Sequence, residues 1–219
     1  HRISTQIEDI YRVHCPNASG EEIQERAMEL LKLVNLPPRV YRLYPHEMSG
    51  GMLQRVAIAI SLLHHPQLLI FDEATTALDV VTQGQILREI LEMEKTLETT
   101  RIMITHDMSV VATTCNKVAV MYAGELMEFG MVKDVLTRPR HPYTQGLQDS
   151  FPSLKGENPK LLSIPGFLPD LSKDIPGCVF APRCAHATER CRREKPPMTK
   201  TSEAGQAACW LCVGDENGK

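Results

Sequence analysis

Two sets of residues in this 219-residue chain have the types and spacing of chemical sites. The first is Ser49-Gly50-Gly51, Asp72-Glu73, Asp79 and His106. A serine and two glycines that open a helix turn amides and the positive end of the helix dipole outward, and glycine lets an anion approach the backbone. Taken alone, the same residues are explained by a serine N-cap behind a flexible turn. Asp72 and Glu73 follow the apolar run Leu68-Leu69-Ile70-Phe71. Adjacent acids at the carboxyl end of a buried strand stand where open α/β sheets bind ligands. In a nucleotide site the first would support Mg2+ and the second would orient the attacking water; the plainer alternative is a pair of solvated acids opening a turn. His106 directly follows Arg101–Thr105. An imidazole there can donate to a developing phosphate charge, or simply cap a turn.

The second set is made of cysteines. Of seven, Cys15 and Cys115 are isolated and read as small buried hydrophobes. Cys178, Cys184, Cys191, Cys209 and Cys212 crowd into the last fifth of the chain. An odd number, with no leader segment, argues against a secreted disulfide framework and for thiolates gathered in a reducing compartment. Four thiolates suit either a tetrahedral Zn2+ or an iron–sulfur cluster, and spacing does not separate the two.

These residues need elements to place them. Ser19-Gly20-Glu21-Glu22 is a capping-box pattern, in which Ser19 accepts a first-turn amide and Glu22 reaches back. Ile23, Ala27, Leu30, Leu31 and Val34 continue it as an amphipathic helix ending before Pro37-Pro38. A second helix is predicted from Ser49 to about His64, and a third from Thr82 to Leu97. Gln67–Phe71 reads as a strand buried on both faces, the habit of a parallel sheet. Arg101–Thr105 is another strand, with Asp107 placed to cap the helix after it. Val118–Tyr122 and Glu125–Phe129 flank Ala123-Gly124, a hairpin signal. The order implies an α/β fold with a mainly parallel sheet and an antiparallel edge. Prolines crowd in from His141 onward, so a boundary is predicted near Ser150, with an ordered region over 1–150 and a loop-rich, Cys-rich extension over 151–219.

Composition excludes several classes. Lys and Arg number 24 against 27 Asp and Glu, a net charge of -3, so the basic footprint of a nucleic-acid binder is absent. No apolar run approaches the roughly 20 residues of a spanning helix.

In order, Met48-Ser49-Gly50-Gly51-Met52-Leu53-Gln54-Arg55, Leu69–Glu73, Thr76-Ala77-Leu78-Asp79 and Thr105-His106-Asp107 resemble the nucleotide-binding subunit of an ABC transporter. The resemblance implies a P-loop NTPase-like ABC fold, with a helical subdomain and a parallel sheet, that binds ATP and Mg2+. It implies that Ser49, Gly50 and Gly51 form the signature motif, which contacts the γ-phosphate of ATP held by a partner subunit. Asp72 then matches the magnesium-supporting Walker B aspartate, Glu73 the catalytic glutamate, Asp79 the D-loop aspartate and His106 the switch histidine. Met48 replaces the usual leucine and Ala74 the usual proline; neither change removes a reacting group.

His141-Pro142-Tyr143-Thr144, Gly177–Cys184, Cys191 and Ala208-Cys209-Trp210 resemble the C-terminal extension of dipeptide and oligopeptide permease ATPases, and Met52–Arg55 with Ala74–Asp79 look like the D-type subunit. The resemblance implies a heterodimer with an F-type ABC ATPase on the cytoplasmic face of the inner membrane. It also implies two transmembrane permease subunits, an extracytoplasmic peptide-binding protein and no nucleic acid. It implies a 4Fe-4S cluster on Cys178, Cys184, Cys191 and Cys209, with Zn2+ as the alternative and Cys212 outside the pattern. The solute could be a dipeptide, an oligopeptide or nickel. Competing classes are a soluble ABC protein of DNA repair or translation, and a non-catalytic remnant acting as an iron–sulfur interaction module. None of the 13 glycines begins Gly-x-x-x-x-Gly-Lys-Ser/Thr, the P-loop that cradles phosphates. Arg2–Ile7 resembles the stretch just after the glutamine loop of the family, and the first residue is His1. The expectation is therefore a chain lacking the N-terminal Walker A part of the ATPase core, inactive alone.

Overall fold

The computed structural model describes residues 1–76, 78–94, 99–150 and 163–214. Ala77 of the Thr76–Asp79 motif and the predicted helix end at Leu97 lie outside the described residues. The chain divides into two compact units, His1–Val110 and Val111–Lys219.

The first unit opens with α1 (Ile3–His14), which the sequence reading leaves unassigned although Ile3 and Ile7 share a helical face and are both buried. α2 (Gly20–Leu33) starts where the capping box predicts, and the Ser19 hydroxyl accepts the Glu22 amide at 3.1 Å. Glu22 does not reach back; its carboxylate accepts the Tyr11 hydroxyl at 3.2 Å. α3 (Gly50–Ser61) is capped by Ser49. β1 (Leu68–Asp72) leads into α4 (Val80–Glu94), and β2 (Thr100–Ile104) into α5 (Met108–Thr114), where the chain passes to the second unit. β1 and β2 pair in parallel, Ile70 opposite Ile102 and Asp72 opposite Ile104. Helical residues such as Ile23, Leu31, Ile86 and Ile90 build one core with Phe71.

Burial of β1 on both faces is not what the structure has. Phe71 points into the core, but Leu68, Ile70, Ile102 and Ile104 keep 46–56% of their surface exposed. Period-2 alternation gives the pair a packed face and an open apolar face, because one layer of the unit covers one side of the sheet. The run is apolar on both sides, so sequence alone could not show that only one is covered.

In the second unit, β3 (Lys117–Tyr122) and β4 (Glu125–Met131) form the predicted hairpin; Ala123 and Gly124 both have positive φ, as a tight two-residue turn demands. Then come α6 (Val132–Thr137), α7 (Pro142–Asp149), α8 (Glu189–Arg193), β5 (Met198–Lys200) and β6 (Gln206–Ala208). The expected antiparallel edge on a parallel sheet is replaced by a separate four-stranded antiparallel sheet in the order β3-β4-β6-β5. β6 takes the free edge of β4, pairing Ala207 with Glu128, so residues on either side of Ser150 share one sheet. Tyr122, Met127, Val179 and Phe180 form a common core beneath it.

Candidate functional site

The first unit places its candidate residues at the ends of β1, β2 and α3. After β1 the chain turns sharply. Glu73 sits in the left-handed region at φ 48°, uncommon for a side-chain-bearing residue, and its amide donates to the Ile104 carbonyl at 2.9 Å. That turn holds the Glu73 carboxylate beside His106, two residues after β2. Glu73 Oε1 lies 3.1 Å from His106 Nδ1, and Thr76 Oγ1 donates to Oε2 at 3.0 Å. The His106 bond, then the Thr76 bond, holds the Glu73 carboxyl below its ordinary range. Asp72, also exposed, ends β1 one residue earlier.

Asp79 caps α4, accepting from the Val81 and Thr82 amides at 3.1 and 2.9 Å and from the Thr82 hydroxyl at 2.6 Å. These bonds, the Thr82 hydroxyl first, lower its carboxyl pKa. The Ser49-Gly50-Gly51 corner meets the same turn. A Cβ on Gly51 would lie 2.6 Å from Thr82 Cγ2, which explains why glycine is needed there, while Ser49 and Gly50 stay exposed. Further along, Arg55 of α3 pairs with Glu89 of α4 at 2.8 Å. Gln83 donates to Asp107 at 3.2 Å, and Asp107 caps α5 through the Ser109 amide at 2.8 Å. Two groups of contacts thus flank the start of α4: Gly51 against Thr82 with Asp79, and Gln83 with Asp107, next in sequence to the His106 that meets Glu73. Thr76, Thr82 and Gln83 carry these contacts, and sequence reasoning did not single them out; their polar side chains at helix starts and turns were the available signal.

The second unit gathers the cysteines. Cys178, Cys184, Cys191 and Cys209 line one cavity of about 140 Å³, together with the buried rings of His141 and Phe180. Cys212 is buried but does not line it; its thiol approaches the Arg140 carbonyl at 3.8 Å and hydrogen-bonds with Cys209. All seven cysteines are free thiols. Gly177 makes the gathering possible. Its missing Cβ would sit 2.3 Å from the Cys191 carbonyl oxygen, and this close approach lets the Cys178 amide donate to that oxygen at 2.8 Å. Backbone amides point at three of the sulfurs: those of Phe180 and Ala181 at Cys178, His186 at Cys184, and Leu211 at Cys209. Burial pushes the Cys178 and Cys184 thiols up; the Cys212 thiol, then burial, raises Cys209. Four thiols on one cavity, three of them with backbone donors on their sulfurs, have the donor chemistry of a thiolate ligand set. Among the described residues, no three His, Cys, Asp or Glu side chains converge closely enough to hold a single ion.

Two buried polar residues support this wall. Glu128, 2% exposed on β4, accepts the Arg140 and His141 amides at 2.8 and 3.1 Å. His141 is 1% exposed, and burial pushes its imidazole down to about 4. Glu128 was missed in the sequence, although a carboxylate inside an apolar strand is the kind of signal that marks a satisfied buried charge.

With these features in place, the fold can be compared with known proteins. It matches solved ABC ATP-binding structures. One is cbiO1 of Clostridium perfringens, part of the ABC transporter complex cbiONQ (TM-score 0.54, 31% identity, 63% of this chain and 53% of that one). Another is the ATP-binding cassette MJ0796 bound to ADP and Pi (TM-score 0.53, 30% identity, 60% and 56%). Residues 3–76 match the ABC transporter family, and residues 127–191 match the oligopeptide/dipeptide transporter C-terminal region. The chain is 45% identical to a probable peptide ABC transporter ATP-binding protein of Sinorhizobium fredii over 96% of its length, and 44% identical to the oligopeptide transport ATP-binding protein OppD of Escherichia coli over 97%. It is 39% identical to the dipeptide transport ATP-binding protein DppD of Escherichia coli over 98%. It belongs to the ATP-binding proteins of ABC transporters, in the group that carries the oligopeptide/dipeptide C-terminal region. The chain spans 63% of the length of the first two relatives and 66% of the third. Among the described residues, no helix is long and apolar enough to cross a membrane.

Proposed function

We propose that this chain is the greater part of an ATP-hydrolysing subunit that energises import of dipeptides or oligopeptides. Ser49, Gly50 and Gly51 meet the γ-phosphate of ATP held by a second, F-type ABC ATPase subunit. In the chain's own site Asp72 supports Mg2+, which neutralises phosphate charge. Glu73 polarises and orients the attacking water, and His106 steadies Glu73 and the phosphate end of the nucleotide. Asp79 reaches across the dimer. The pair works beneath two permease subunits on the cytoplasmic face of the membrane, with an extracytoplasmic peptide-binding protein delivering solute.

The observation that carries the reading is the Glu73–His106 pair at 3.1 Å, on the carboxyl edge of two parallel strands. A carboxylate held below its ordinary range stays ionised at neutral pH, which suits orienting water. The test uses the full-length parent subunit with its partner. Glu73→Gln should cut single-turnover hydrolysis at that site by at least about a hundredfold while ATP still binds. Unchanged hydrolysis would refute the assignment. The 219 residues alone should turn over no ATP.

The cysteine cavity is read as the site of a 4Fe-4S cluster, whose chemistry when bound is one-electron transfer or structural cross-linking. A zinc ion with bonds of about 2.3 Å would draw its four sulfurs to one point. Here four thiols line one cavity, and it is the likeness of the surrounding motifs to the oligopeptide/dipeptide C-terminal region, not the size of the cavity, that supports the cluster over zinc. Iron, acid-labile sulfide and zinc analysis of the parent protein separates the two.

A further inference from the structure

His141 accepts the Tyr143 amide on Nδ1 at 3.0 Å. The ring is 1% exposed and lines the cavity with the four cysteines. A backbone N–H can only donate, so Nδ1 carries a lone pair and the proton of the neutral ring sits on Nε2. An N–H so placed is a donor and cannot act as a ligand. Its position is fixed from both sides. Glu128 holds the His141 amide at 3.1 Å, and the Phe180 ring centroid lies 5.8 Å from the imidazole. The other histidine on the cavity, His186, is exposed and turns its backbone amide, rather than a locked ring, toward Cys184. The acceptors a thiolate-bound cluster would offer such a donor are sulfurs.

We propose that His141 is a positioning residue for the metal group of this cavity, donating a hydrogen bond from Nε2 to one of its sulfurs. The proposal rests on the cluster reading given above. A hydrogen bond to a cluster sulfur favours the reduced form, so His141 raises the reduction potential and slows loss of the cluster. It also gives His141-Pro142-Tyr143-Thr144 a physical role. Proline opens α7, and the Tyr143 amide, an orphan of that first turn, sets the tautomer.

The experiment uses the full-length parent chain purified without oxygen, as wild type, His141→Leu and His141→Gln. Iron and sulfide are counted, the midpoint potential is measured, and cluster loss to a chelator is timed. Pulsed EPR of the reduced wild type labelled with 15N-histidine should show coupling to one imidazole nitrogen. His141→Leu should keep its iron, lose that coupling, shift to a lower potential and release iron about fivefold faster, the factor one hydrogen bond is worth. His141→Gln, whose amide N–H reaches to a similar depth, should recover most of the potential. Equal potentials and release rates in wild type and His141→Leu would overturn the proposal. So would absence of the nitrogen coupling in the wild type, a measurement that stands even where a variant fails to fold. A wild type that holds zinc, or no metal, overturns the cluster reading before any variant is made, and the role of His141 with it.

Discussion

The two units hold their reactive side chains in opposite ways. In the first, the Glu73 and His106 side chains are 48% and 75% exposed, and they lie on an open sheet edge beside an uncovered apolar face. In the second, Glu128 and His141 are 2% and 1% exposed, and four half-buried thiols line one cavity. An exposed carboxylate and imidazole sit in high dielectric, where charge does little work on a phosphate; they need further surfaces to exclude water. A buried carboxylate and imidazole are instead held by the packing of their own unit. The comparison therefore predicts that damage to the buried set of the second unit is felt as lost fold, and damage to the exposed Glu73–His106 pair of the first as lost activity with the fold intact.

The strongest attempt to break this contrast is Gly177→Ala. The new Cβ would meet the Cys191 carbonyl and the Arg192 backbone at 2.3–2.6 Å, and backbone cannot swing aside as a side chain can. The change should cost about 3 kcal/mol or more, and should separate Cys178 from Cys191. Thermal unfolding reads the first effect, and loss of bound metal in the parent protein reads the second. A stable, fully loaded Gly177→Ala protein would show that the close approach is not what gathers the thiols.

Next comes acid sensitivity. His141 is held down to about 4 by burial, against about 6.5 when unfolded. The unfolded chain therefore binds a proton below pH 6.5 that the folded chain refuses. The stability this group contributes is complete above pH 6.5 and falls as pH drops toward 4, by about 3 kcal/mol at most. Denaturant unfolding of the metal-free chain at a series of pH values measures it. In His141→Gln that part of the pH slope should vanish.

A smaller effect is expected where α3 meets α4. Gly51→Ala should destabilise the first unit by about 1–3 kcal/mol through contact with Thr82 Cγ2. Thr82→Ser removes that methyl and keeps the hydroxyl that Asp79 accepts, so the double variant should regain most of the loss. Rescue would show a steric role for Gly51; no rescue would leave its role to the groups it presents outward.

How far these sites could be read from the sequence differs between the units for the same reason. Ser49, Asp72, Glu73, Asp79 and His106 are local signals, since each stands at a cap or a strand end that periodicity already marks. So too does Asp107, which caps α5 as its position predicted. The partner of a strand is not local. That β6 joins β4 across more than seventy residues leaves no trace in the three-residue β6, so only the β3–β4 hairpin of the antiparallel sheet was readable. The cysteines were legible as a group by crowding, but nothing in their spacing revealed that Cys212 lies off the cavity, or that His141 lies on it. Both depend on the fold of the turn around Gly177 and on Glu128, one buried carboxylate in an apolar strand.

The smallest effect tests how open the first site is. Glu73 is depressed chiefly by the hydrogen bond from His106 and secondarily by that from Thr76. A carboxyl with a lowered folded pKa stabilises the fold above its unfolded value, about 4.3, and loses that contribution as pH falls through the folded value. On so exposed a group, solvent screening leaves little for denaturation to detect. The shift itself is visible by NMR titration of the Glu73 side chain. Its midpoint should lie below that of an unpaired glutamate. It should rise most in His106→Ala and less in Thr76→Val, with the unfolding midpoint unchanged in both. A larger move in Thr76→Val would make Thr76, not His106, the group that sets the charge of the carboxylate. If instead either change unfolded the unit, the pair would belong to the fold, and the contrast between an open site and a closed one would fail at its open end.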